Sequence, residues 1–344
     1  MRINLTTSPF ILYGAGAIIT SIATLVVLIL YWPQNHSSEV IKVTIKQGET
    51  LSDISKRLTV QGVVSNQRMF QWAVKLRGLE TSIPAGTFRL QAAKTNDKII
   101  QQLVNSAPEL KKVTIIEGWT LRQLAKHLSA EMEFSTEEIL GLSQDDEFIL
   151  SLGIPGNNLD GYLYPDTYYF FEGDGPKSVL TRMVKEYQKF WTDEKYSKAR
   201  ALKMSEQEVV TLASIIEGEA IYDDERPIIS AVYHNRLKKG MKLQADPTIQ
   251  YIIEDGPRRL LHKDLKMDSP YNTYLYKGLP LGPINSPGYK SLQAALYPAD
   301  NNYLYFVAKG DGYHTFSNTE REHKRAKRAF QKHRRKVHRE QRSK

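Results

Sequence analysis

Cysteine is absent from all 344 residues. That excludes disulfide staples and suits any compartment in which disulfides are neither needed nor risked. Metal-ligand spacing is missing as well, since His127, His234, His262 and His314 form no His-x-x-x-His pattern, and we expect neither a metal nor a cofactor. No Gly-x-Ser-x-Gly elbow and no phosphate-cradling glycine loop occurs, which leaves acyl transfer and nucleotide hydrolysis without support. Long apolar runs are equally scarce. The exception is Phe10 to Trp32, broken only by Tyr13, Thr20, Ser21 and Thr24; at 1.5 Å per residue it reaches about 35 Å, enough to cross a hydrocarbon core of about 30 Å. No small-x-small site follows it and it ends in bulky Tyr31-Trp32-Pro33, so the expectation is an uncleaved membrane anchor rather than a signal peptide. No Lys or Arg lies between Pro33 and Val40, which favours placing the body beyond the anchor on the outer side.

With 41% hydrophobic residues the chain can build two or three compact units. Its formal charge of +9 is unevenly spread. Residues 321–344 hold twelve Lys/Arg against two acids, a net of +10, which leaves −1 for everything before them. Such a tail, centred on Arg334-Arg335-Lys336, reads as a solvated, disordered end or as a ligand for an anionic lipid surface, an anionic wall polymer or nucleic acid. Nucleic acid is the least expected of these if the body lies outside the membrane.

An internal repeat follows the anchor. Val43-Thr44-Ile45-Lys46-Gln47-Gly48-Glu49-Thr50-Leu51 aligns with Val113-Thr114-Ile115-Ile116-Glu117-Gly118-Trp119-Thr120-Leu121 at an offset of 70, and Leu58 aligns with Leu128. Each copy predicts a short strand, a glycine turn, a Thr cap and a helix. Farther on, Ser205 with Glu208 is a capping-box signature for a helix to Ala220. A second helix is expected from about Asp224 to Lys239, with Pro227 in its first turn and Gly240 at its end. Asp246-Pro247 reads as the cap and first residue of a helix to Ile253, and Tyr303 to Ala308 alternates like a strand.

The chemistry concentrates at the end of the Ser205 helix. In Leu212-Ala213-Ser214-Ile215-Ile216-Glu217-Gly218-Glu219-Ala220, a carboxyl beside apolar neighbours can stay protonated near neutral pH and serve as a proton donor. Two positions on a helix differ by about 200°, so Glu217 and Glu219 cannot both face one cleft. Glu225 beside Arg226 reads as a structural ion pair. Asn235, Gln244, Asp246 and Thr248 are polar positions flanking apolar ones, and Tyr271, Asn272 and Tyr274 precede a Gly- and Pro-rich loop from Gly278 to Gly288. All seven suit a groove that grips acetamido and hydroxyl groups, and each has a purely structural alternative.

These runs, taken with Leu159-Asp160-Gly161-Tyr162-Leu163-Tyr164-Pro165-Asp166-Thr167-Tyr168, Ser269-Pro270-Tyr271-Asn272-Thr273-Tyr274, Gly278 to Gly288, Tyr303 to Ala308 and Gly312-Tyr313-His314-Thr315-Phe316, resemble the MltG (YceG-like) family of endolytic murein transglycosylases. The likeness covers about residues 43–320 in one consistent order. It implies an α+β fold with a single N-terminal transmembrane helix, a LysM-like subdomain and an α+β YceG-like catalytic domain. The expected divisions are a cytoplasmic N-terminus at 1–9, the anchor at 10–32, a linker at 33–42, the LysM-like subdomain at 43–112, a second repeat-like region and connection at 113–204, the catalytic domain at 205–320 and a basic, disordered tail at 321–344. By the same resemblance Glu217 is the catalytic acid, with substrate contacts at Asn235, Gln244, Asp246, Thr248, Tyr271, Asn272 and Tyr274. The implied substrate is the MurNAc-GlcNAc bond of nascent peptidoglycan, cleaved on the outer side of the plasma membrane to 1,6-anhydroMurNAc ends, with peptidoglycan polymerases as partners. The alternative from another class is a non-catalytic peptidoglycan-binding scaffold for cell-wall synthases.

Overall fold

The long apolar run folds as α1 (Pro9–Tyr31) in the computed structural model, which describes residues 9–33, 39–46, 48–91, 95–254 and 256–342. Among the described residues, Tyr13–Tyr31 is the one helical stretch long and apolar enough to cross a membrane. Contacts divide the chain into a unit of residues 1–112 and 169–175 and a second of 113–168 and 176–344. The first continues through β1 (Val40–Ile45), α2 (Leu51–Val60), α3 (Gln67–Leu76), β2 (Gly86–Gln91) and α4 (Asn96–Asn105). β1 and β2 pair antiparallel, Val43 opposite Phe88, and close over a core that includes Leu58, Phe70, Val74, Ile99 and Leu103. Of the stretch expected as a linker, Pro33 forms an isolated bridge with Thr95, residues 34–38 lie outside the described residues, and β1 begins at Val40.

The chain enters the second unit along β3 (Leu110–Thr114) and proceeds through α5 (Leu121–Glu131), α6 (Thr136–Leu142) and α7 (Asp146–Ser151) to β4 (Thr167–Phe171), the strand that pairs with β3. The repeat is visible here as one device used twice. Gly48 and Gly118 take φ of +83° and +78°, conformations that glycine reaches without a Cβ penalty. Thr50 and Thr120 then close capping boxes with Asp53 and Gln123 at the starts of α2 and α5.

The remainder is α8 (Pro176–Gln188), α9 (Asp193–Ala201), α10 (Glu206–Glu219), α11 (Arg226–Lys238), α12 (Asp246–Ile252), α13 (Tyr289–Leu296), the hairpin β5 (Tyr305–Ala308) and β6 (His314–Ser317), and α14 (Glu320–Arg342). α10 is the centre of this unit. Ser205 and Glu208 form its capping box, every residue from Val209 to Ile216 is buried, and α9, α11, α12 and α13 pack around it. A helix that is apolar on all sides has no solvent face to offer and can only be a core element.

Two local expectations are corrected. Asp246 does not cap α12; Ala245 holds that position without a side-chain bond, while the Asp246 carboxylate accepts from the Tyr274 hydroxyl. Residues 321–344, expected as a disordered tail, are helical as far as Arg342. Lys, Arg, Ala, Gln and Glu are good helix formers. The first turn is also closed, with the backbone N–H groups of Asn318 and Thr319 donating to Glu322 and Glu322 N–H donating to Thr319 Oγ1. Partly buried His323, Ala326 and Phe330 mark the inner side of α14, and His323 stacks on Tyr305 at 5.2 Å.

Gly161, next to a cleft residue described below, has φ +80°, and a Cβ there would lie 2.5 Å from Pro283 Cβ and 3.0 Å from Val210 Cγ1. Gly240 is also left-handed, at φ +61°, with open space around it. Gly161→Ala is therefore expected to lower stability by about 2–4 kcal/mol through strain plus overpacking, and Gly240→Ala by only about 1 kcal/mol. Urea unfolding of both variants checks the difference.

Candidate active site

Two carboxyl groups in the last turn of α10 stand where the helix dipole disfavours negative charge, and the structure treats them differently. Glu217 is held in a buried ion pair: Oε1 accepts from Arg226 Nη1 at 3.1 Å, and Oε2 accepts from the Gly288 N–H at 2.9 Å. The two side chains are only 6% and 7% exposed. Arg226 is fixed in turn by Asp223 at 3.0 Å and by a short hydrogen bond to the Ser291 hydroxyl. Glu117 crowds the same spot. A Cβ on Gly288 would fall 1.8 Å from Glu117 Oε1, so a larger residue there would push the Glu117 side chain aside. Burial, and then the charge of Glu217, push the Glu117 carboxyl above its ordinary pKa.

Glu219 turns to the other side. Burial raises its pKa from the ordinary 4.5 to about 7, although the Tyr233 hydroxyl and the Asp246 N–H both donate to it; the Tyr233 bond to Oε1 is 2.9 Å. This carboxyl lies in the wall of a cleft of about 750 Å³, together with Gln123, Asp160, Gly218, Asp246, Gln250, Tyr251 and Asn285. Glu217 is not among the lining residues. The 200° separation of the two positions thus resolves with Glu219 toward the cleft and Glu217 toward Arg226 and the Gly288 N–H.

The cleft is lined by a second buried carboxyl. Asp160 accepts from the Leu121 N–H at 3.3 Å and from the Tyr251 hydroxyl at 2.8 Å, and burial pushes it above the usual carboxylate range despite both bonds. Asn285 is tied by its amide N–H to the Ser214 carbonyl at 2.9 Å. Its Oδ1 is buried without a hydrogen-bond partner. Asp160 lies within a motif that the sequence makes conspicuous, but Gln123, Gln250 and Tyr251 carry no comparable signal.

Of the seven positions expected to bind substrate, only Asp246 lines the cleft. Tyr274 acts through it by donating to its carboxylate, and the Tyr271 ring packs 4.8 Å from that of Tyr251. The other four hold the backbone. Asn235 Nδ2 donates to the carbonyls of Asn301 and Tyr303 at 2.9 and 3.0 Å, and Asn272 Nδ2 to those of Leu265 and Met267 at 3.2 and 2.7 Å. Thr248 donates to the Ala245 carbonyl and meets the Thr273 hydroxyl at 2.9 Å. Gln244 is exposed, with φ +47°, and its N–H donates to the Thr273 carbonyl. Polar side chains flanked by apolar residues satisfy buried backbone groups as readily as they bind ligand. Glu225 accepts from the His314 N–H at 2.9 Å and from its Nδ1 at 2.8 Å, a structural tie between α11 and β6.

Replacing Arg226 with Met would leave Glu217 buried, unpaired and beside Glu117. The expected cost is about 3–5 kcal/mol, the usual result of removing one partner of a buried pair. Glu217→Gln, which keeps the shape and the acceptor, is expected to cost clearly less, and denaturant titration of the two variants makes the comparison.

The model of the YceG-like family matches residues 43–329. An endolytic murein transglycosylase of Bacillus subtilis is 34% identical over 313 residues, covering 86% of each chain. An endolytic murein transglycosylase of Streptococcus pneumoniae is 27% identical over 84% of this chain, which spans 58% of that longer protein. The crystal structure of a YceG-like protein from Listeria monocytogenes superimposes with a TM-score of 0.58 at 35% identity, covering 84% of this chain and 99% of the other. On the family match across most of its length and on the Bacillus relative, this chain belongs to the YceG-like family.

Proposed function

We propose that this protein is an endolytic lytic transglycosylase that cuts peptidoglycan glycan strands, with Glu219, the α10 carboxyl that lines the cleft, as its acid and Glu217 as the alternative. The observation that carries the reading is a single one: a carboxyl whose pKa burial raises to about 7 stands in the wall of a cleft of about 750 Å³, in a chain related to endolytic murein transglycosylases. Breaking a glycosidic bond requires a proton on the leaving oxygen and a nucleophile at the anomeric carbon. A muramic acid residue brings its own nucleophile, the C6 hydroxyl, with the rate advantage of an attached group. Glu219 would protonate the leaving oxygen of the MurNAc-GlcNAc bond. Once ionised, it would take the C6 hydroxyl proton as that oxygen closes on C1, giving a 1,6-anhydroMurNAc end.

The supporting parts follow from the site. Tyr233 and the Asp246 N–H hold the Glu219 carboxyl in place. Asp246 and Gln123 offer polar groups to sugar hydroxyls. α1 reads as an anchor in the plasma membrane with the body on its outer side, which would hold the enzyme where membrane-bound polymerases extrude new strands. The first unit has the β-α-α-β order of a LysM-like module over 40–91, and a positioning role is the simpler assignment for it. The basic α14 remains a candidate ligand for anionic lipid or wall polymer.

The test is the product spectrum from uncrosslinked glycan, read by mass spectrometry. Glu219→Gln is expected to lower formation of internal 1,6-anhydro ends by on the order of 10²–10⁴-fold, while Glu217→Gln retains measurable turnover. Normal turnover by Glu219→Gln would refute the assignment.

The raised pKa of Glu219 also fixes two pH dependences. The active acid is protonated, so kcat/KM should fall about tenfold per pH unit above about 7. The folded state keeps the Glu219 proton up to about pH 7, and the unfolded chain only up to its ordinary 4.5. Its contribution therefore favours folding below pH 4.5 and is lost as pH rises through 7. Glu219→Gln should flatten that decline, as thermal unfolding at pH 5 and at pH 8 would reveal.

A further inference from the structure

The outer end of α1 is claimed from two sides. On one, Val26, Ile29 and Leu30 pack into the apolar core of the first unit, and the Asn96 amide donates to the Ile29 carbonyl at 2.7 Å. On the other, Val27, Leu28 and Tyr31, in those same turns, are exposed, Val27 by 54%. The part of α1 before this junction, Pro9 to Leu25, gives only about 25 Å of helix, short of a hydrocarbon core of about 30 Å. Lipid must therefore reach up to Val27 and Leu28, and the protein packed across the helix from them has to share that depth.

α3 supplies the surface for it. Arg68, Trp72, Lys75 and Leu76 follow one helical stripe and are all exposed, Trp72 by 60%, with Lys75 Nζ 5.9 Å from the Trp72 ring centre. Arg77, at the end of the same helix, reaches the Tyr31 hydroxyl at 3.4 Å, which puts the end of α3 beside the outer end of α1. An aromatic and an aliphatic side chain flanked by cations is the composition that settles at the boundary between acyl chains and phosphate headgroups.

We infer that the first unit is seated in the phospholipid headgroup layer through the Trp72–Leu76 stripe of α3, continuous with α1, rather than standing clear of the bilayer on a free linker. The inference rests on the reading of α1 as a membrane anchor. Its consequence is a fixed height and tilt for the first unit, set by two points of attachment instead of one.

Because the chain has no cysteine, single-cysteine variants report position directly. Trp72→Cys, Leu76→Cys, Ile22→Cys on α1 and Lys56→Cys on α2 would each carry an environment-sensitive fluorophore in the full chain, reconstituted into vesicles of equal parts phosphatidylcholine and phosphatidylglycerol. Lipids bearing a nitroxide near the headgroup or at mid-chain would serve as quenchers. The expected result is mid-chain quenching at position 22 and shallow quenching at 72 and 76 roughly twofold or more above that at 56. Quenching at 22 with 72 and 76 no different from 56 would overturn the seating and leave the anchor intact. Absence of quenching at 22 would remove the anchor, and the seating with it.

Discussion

The burial of α10 is the constraint on which the second unit depends. A helix covered on every side delivers its last turn, and the two carboxyl groups on it, into protein rather than water. Neither can remain there as a free anion. Glu217 is compensated by Arg226, which is itself locked by Asp223 and Ser291; Glu219 instead keeps its proton to about pH 7. One physical problem thus has two solutions, and the second leaves a carboxyl able to carry a proton near neutral pH. The ion pair also ties α10 to the start of α11, where Glu225 continues the chain of contacts to His314 on β6.

The cleft around Glu219 is assembled from distant segments by close approach. Gly161 lets the Asp160 loop meet Pro283 and Val210, and Gly218 lets Pro247 come against the end of α10, where a Cβ would be 2.6 Å away. These contacts bring Asp160, Glu219 and Asp246 to one opening. With two raised pKa values among these cleft carboxyls, proton chemistry is the natural use of the space.

Much of this was legible in the sequence, and the part that was not has a common cause. Local signals held: the Ser205–Glu208 box, Pro227 in the first turn of α11 and the 70-residue repeat all describe interactions made within a few residues. The different surroundings of Glu217 and Glu219 needed long-range information, because Arg226, Gly288 and Tyr233 are brought to the helix end only by folding. The same holds for Asn235, Thr248 and Asn272, polar residues whose partners are backbone carbonyls and hydroxyls that no spacing rule identifies. α14 was obscured for another reason. Its charge density reads as disorder, while the stripe of His323, Ala326 and Phe330 that settles it on the hairpin is too sparse to dominate the pattern.

The division of labour between the two α10 carboxyls is open to direct spectroscopic test. In protein labelled with ¹³C at glutamate carboxyl carbons, the account predicts one resonance titrating near pH 7 that is absent from Glu219→Gln and present in Glu217→Gln. Loss of that resonance in Glu217→Gln, with Glu219→Gln unchanged, would contradict it and return the acid to Glu217.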